Sequence, residues 1–185
     1  MPIILAYSGI IAYLVAKDNK ESKALLSKIS IQDPEWEIGH LQTRIDEVFF
    51  KVQQAWRDRD QELAKDYMSQ RLYGKHKLRT DDMLKRGIKN EMENLQLQSA
   101  KIVEVVDYKN NAKDFFWVVI EGLMMDYTII ESTGAIVDGA KKNRSFKELW
   151  RFKREDHGWV VDEIDQNMSI ATLRCFAPYS EEISN

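Results

Sequence analysis

The sequence holds a single cysteine, Cys175, so no disulfide can form within the chain, which fits a reducing compartment. Its three histidines, His40, His76 and His157, are scattered, and with one cysteine they give no metal-ligand spacing. No glycine-rich phosphate loop, GxSxG elbow or HExxH pair occurs, so no catalytic or metal residue is assigned and no cofactor is expected. An excess of one charge is also missing. With 27 basic against 30 acidic residues, the chain lacks the basic surplus of a general nucleic-acid binder, and DNA is not expected as a partner. There is no internal repeat and no low-complexity segment. What is present is ample core material: five Trp, seven Tyr and seven Phe in 185 residues, enough for one globular domain.

The most informative stretch is SFKELWRFKREDHGWVVDEIDQN, residues 145–167. Phe146, Glu148, Trp150 and Phe152 alternate with Lys147, Leu149, Arg151 and Lys153, the period of a strand with one buried and one wet face. A charged, Gly-ended connection leads into WVVDEI, which predicts a hairpin. Glu148 is the anomaly, a carboxylate on a face of aromatic rings.

Ahead of the hairpin the period is helical. Residues 3–16 are apolar all round except Ser8 and Gly9. They are followed by Lys17, Lys20, Lys23 and Lys28, diluted by Asp18 and Glu21. Fourteen helical residues span roughly 21 Å against about 30 Å of bilayer hydrocarbon, so a full crossing would be strained. With no basic leader or cleavage site, a signal peptide is a poor reading. A helix apolar on every side needs a dry surface: a membrane, its own domain or a twin subunit. Asp33-Pro34 is a helix start. Ile38, Leu41, Ile45, Val48, Val52 and Ala55 then form a stripe to about Arg59, flanked by Phe49 and Trp56. Asp60 caps a shorter helix with Leu63, Tyr67 and Met68. A third helix is predicted over residues 73–94, with Leu78, Met83, Leu84 and Ile88 as its apolar face.

Strands are predicted at 99–108 and 114–131, the second with a bulge or bend at Gly122. Residues 132–144 read as a loop, basic at Lys141, Lys142 and Arg144, and residues 171–185 as a tail. The sum is an α+β domain: N-terminal helices packed on a strongly curved antiparallel sheet, with a concave pocket. The divisions are a helical segment at 1–30, the main domain at 34–170 and the tail.

FFKVQQAWRDRD (49–60), YMSQRLYGKHKL (67–78), SFKELWRFKR and GWVVDEIDQN together resemble the Tim44-like domain family. That family includes a membrane-docking domain of the mitochondrial import motor, a mitochondrial ribosomal relative and bacterial members. The resemblance implies a cone-shaped fold of the nuclear-transport-factor-two-like kind. It also implies a non-enzymatic, membrane-peripheral adaptor or lipid-associated domain with an apolar pocket. The expected partners are an anionic lipid surface, a protein and a second copy of the chain, at the cytoplasmic face of the inner or cell membrane. Membrane contact would fall on Ile3, Ile4, Leu5, Ile10, Ile11, Leu14, Lys17, Lys20 and Lys23.

The pocket would be lined by Trp56, Trp117, Glu148, Trp150 and Phe152. Glu148 and Asp126 are also the acids a catalytic cone would use, although Glu148 reads more simply as a bonded core carboxylate. A small-molecule or catalytic cone, and a ribosome- or protein-docking module, are the alternatives. His76, between two lysines in KHKL, reads as solvated, and the basic run 75–79 reads as a surface.

Overall fold

The computed structural model describes the backbone of residues 2–181 and the side chains of residues 7–181. Four helices and five strands are arranged as α1 (Pro2–Ile29), α2 (Ile38–Asp58), α3 (Gln70–Lys85), β1 (Ile88–Asp107), β2 (Phe115–Ile130), β3 (Ile136–Glu155), β4 (Gly158–Asp165), α4 (Ile170–Arg174) and β5 (Tyr179–Ser180). The sheet order is β4-β3-β2-β1-β5, antiparallel throughout except for β5, which runs parallel to β1. It is a mixed five-stranded half-barrel wrapped on helices, as the α+β reading expected, with one parallel edge added by the tail.

The α2 stripe explains the main core. Leu41, Ile45, Val48, Phe49, Val52 and Ala55 are buried at spacings of three and four, facing the concave side of the sheet. That side carries Phe116, Val118, Ile120, Trp150 and Phe152. Phe116 and Phe152 stack with ring centroids 4.9 Å apart, and Trp159 meets Phe116 edge-on at the same separation. The start read at Asp33-Pro34 is a short 3-10 turn, Pro34–Trp36, with Asp33 accepting from the Glu35 amide; Glu37 then caps α2. Arg154 on β3 reaches back to Asp33 and to Asp114 at the start of β2, tying the α1–α2 connection to the sheet.

The opposite face carries a second core of Val103, Val119 and Leu149, closed by Val15 of α1 and Leu173 of α4. Farther along α1, Leu26 and Ile29 join the main core, and Asn19 Nδ2 donates to the Ile102 carbonyl at 2.8 Å. The helix therefore crosses the β1 edge and seals both faces. The tail is not loose: α4 supplies Leu173, and β5 pairs Val106 with Tyr179 and Asp107 with Ser180.

Two assignments are corrected. The third helix ends at Lys85, because Gly87 takes φ +61 just past its end and its amide bonds the Leu84 carbonyl. Residues 88–94 are β1, and Leu78, read as core, is 74% exposed. Residues 136–144 are not a loop but the first half of β3, paired with β2 around Asp126↔Ala140 and Thr128↔Asp138. Both faces are largely wet there, so no apolar alternation marked the strand.

Gly122 sets the bend. A Cβ on it would lie 2.4 Å from Phe146 Cζ and 2.7 Å from the Gln96 carbonyl oxygen. Its partner strand shifts register on both sides of the Leu97↔Gly122 pair. Gly122→Ala is therefore expected to destabilise the domain by about 1–3 kcal/mol through overpacking against backbone. Urea unfolding checks this, and an unmoved midpoint would remove Gly122 as the determinant of curvature.

Candidate functional site

Past the bend, the far halves of β1 and β2 swing away from α2 and leave a cleft of about 270 Å³. Val52, Gln53 and Trp56 come from the end of α2, and Leu72, Lys75, His76 and Arg79 from α3. The sheet contributes Asn90, Met92, Met124, Asp126, Glu148, Trp150, Ile164 and Gln166. The expected apolar pocket is thus a mixed one.

Glu148 lies at the base, buried and doubly bonded. Trp150 Nε1 donates to its Oε2 at 2.9 Å, and Gln166 Nε2 donates to its Oε1 at 2.8 Å. Strand alternation puts Trp150 two residues away on the same face, which is why the indole can reach a neighbouring carboxylate. Asp126 stands at the rim and accepts from Asn90 Nδ2 at 2.6 Å.

His76 is the residue the sequence hid. It is 9% exposed rather than solvated, meets Trp56 edge-on at 5.3 Å, and its Nδ1 is buried with no hydrogen-bond partner. Helix spacing was the available signal, since His76 shares a face with Leu72, Thr80 and Met83. Burial, with Arg79 and Lys75 close by, pushes its pKa down to about 4, so the ring is neutral near pH 7.

Of the five expected pocket residues, Trp56, Glu148 and Trp150 line the cleft. Phe152 lies deeper in the aromatic core, and Trp117 is on the opposite face, stacked on Phe176 at 5.9 Å. Period two decides this: Trp117 is one residue out of phase with Phe116 and Val118. Asn90 and Met92 were missed because they fell inside the overlong third helix.

At the N-terminal end, Tyr7, Ile10 and Tyr13 are 46%, 41% and 68% exposed. Ile11 and Leu14 are half-buried and turned toward the second core. Tyr7 shares the inward stripe of Leu14 and Asp18, so its exposure places the first turns beyond the sheet that the later ones cover. Ile3, Ile4 and Leu5 lie outside the described side chains. Lys17 is held by Glu21 and Asp18, whereas Lys20 and Lys23 are exposed and make no ion pair among the described residues. No helix among those residues is long and apolar enough to cross a membrane.

Two outcomes test the site. Glu148→Gln replaces one acceptor oxygen by a donor facing the Trp150 or Gln166 N–H, which is expected to cost about 1–3 kcal/mol in denaturant unfolding. His76 gives a pH signature. With a folded pKa of about 4 against 6.5 in the unfolded chain, its stability contribution is intact above pH 6.5 and is lost as pH falls toward 4. Wild type should lose up to about 3 kcal/mol more than His76→Gln between neutral pH and pH 4. Asp114, which burial raises to about 6, acts in the opposite sense, so the difference between the two proteins isolates the ring.

The model of the Tim44-like domain family matches residues 22–166. Among solved structures, the intermembrane space region of the chloroplast protein ARC6 aligns with a TM-score of 0.48 and 12% identity, covering 66% of this chain and 95% of that one. No curated protein matches.

Proposed function

The chain belongs to the Tim44-like domain family, and from that premise we propose that it is a non-enzymatic, membrane-peripheral docking domain whose contact device is the projecting start of α1. The observation that carries this is the exposed set Tyr7, Ile10 and Tyr13, with Lys20 and Lys23, which make no ion pair among the described residues, farther along the helix. Two aromatic amphipaths and an isoleucine suit the headgroup boundary, and lysines near an anionic surface add about 1 kcal/mol each. Asp18 does not oppose this, because it is buried against the sheet, and Glu21 is engaged by Lys17. The cytoplasmic leaflet, with its anionic lipid, is the surface such charges fit. A docking role also suits Glu148, which Trp150 and Gln166 hold in place by one hydrogen bond to each oxygen.

Removing α1 is not a usable test, since Val15, Leu26 and Ile29 are core. Exposed positions serve instead. Wild type should float with phosphatidylglycerol vesicles and much less with phosphatidylcholine, and less at high salt. Ile10→Asp with Tyr13→Asp should abolish flotation with the fold intact. Lys20→Gln with Lys23→Gln should weaken it by roughly 30-fold at low salt, about 2 kcal/mol. Flotation of the Asp double variant at the wild-type level would overturn the reading.

A further inference from the structure

The cleft has charged walls of opposite sign that do not close on each other. Lys75 and Arg79 stand one helical turn apart on α3, and Asp126 and Glu148 face from β2 and β3. Among their neighbours on α3, Lys77 bonds Asp81 of the same helix at 3.2 Å and Arg71 bonds Asp162 of β4 at 3.2 Å. Lys75 and Arg79 make no ion pair among the described residues, although both are long enough to seek one. His76 lines the same cleft, and its Nδ1 is buried with no hydrogen-bond partner among the described residues. An unpaired buried polar atom is unfavourable, and this one belongs to a residue of the cleft wall. Trp56, Met92, Met124 and Ile164 add apolar, polarisable surface to the lining, beside polar Gln53, Asn90 and Gln166.

We propose that this cleft binds a compact zwitterion of the amino-acid type, with its carboxylate toward Lys75 and Arg79, its ammonium toward Asp126 and Glu148, and an apolar or aromatic side group against Trp56. A simple anion would meet the cations but leave it facing two carboxylates, and a simple cation would suffer the converse. Only a dipolar molecule is matched on both walls. Size agrees: about 270 Å³ lies just below the range of about 300–1,000 Å³ for pockets holding drug-sized ligands, and far below a phospholipid. The site is separate from the α1 surface, whose residues do not line it.

The probes are L-tryptophan, tryptamine and 3-indolepropionate, which share an indole and differ only in charge. Titration calorimetry should show saturable tryptophan binding at least about tenfold tighter than either singly charged analogue. Lys75→Gln with Arg79→Gln should weaken tryptophan about tenfold and leave tryptamine unchanged, and Asp126→Asn should weaken tryptophan but not indolepropionate. All three positions are exposed, and near-ultraviolet circular dichroism confirms that the variants are folded. Equal affinity for the three probes, preference for a singly charged one, or no saturable tryptophan binding up to about 10 mM by folded protein would overturn the assignment. Flotation is unaffected by these variants, so the two readings fail separately.

Discussion

The close approach of Phe146 to Gly122 governs the shape of this protein. Long antiparallel strands twist steadily, but a sheet that must wrap a helix and then diverge from it needs a local release. Here the release is a residue without a Cβ, opposite a strand that shifts register twice around it. One side of the bend closes on α2 and forms a dry aromatic core, while the other swings out and is largely wet along the first half of β3. The cleft is the space between the two, so its existence follows from the bend.

The second consequence of curvature is an edge that has to be covered. β1 is paired along β2 but only briefly by β5, and α1 lies across the exposed remainder. That geometry divides α1 by burial. Its later turns are committed to both cores through Val15, Leu26 and Ile29, while Tyr7, Ile10 and Tyr13 ahead of Val15 are exposed. An apolar surface beyond the reach of its own domain is free to meet another dry phase.

Charge is distributed along the same lines. Arg154 spends its guanidinium on Asp33 and Asp114 to join separate parts of the chain, and Arg59 does likewise with Glu131, closing the end of α2 onto β2. Lys75, Arg79, Lys20 and Lys23 are not used in this way among the described residues. Lys75 and Arg79 sit at the cleft rim, and Lys20 and Lys23 are exposed on α1.

Much of this was legible in the residues. The stripe from Leu41 to Ala55, the alternation of Phe146, Glu148, Trp150 and Phe152, and the bend at Gly122 are local patterns imposed by helix and strand periods, and each stands where it was read, except that the strand face read as wet buries Leu149 in the second core. The cleft was less legible. His76 looked solvated because flanking lysines dominate its neighbourhood in sequence, yet only its helix face decides burial. Asn90 and Met92 were lost with a helix end that Gly87 marks. The pairing of residues 136–144 could not be read, because a ladder between two wet faces needs backbone partners and no apolar side chains. The sequence by itself determined the elements and the core faces, since those depend on periodicity. Only the tertiary structure decided that Trp117 faces away from the cleft, that Glu148 is satisfied by Trp150 and Gln166, and that α1 is half core and half surface. Those outcomes depend on which distant segment arrives opposite each side chain, and no local period encodes that.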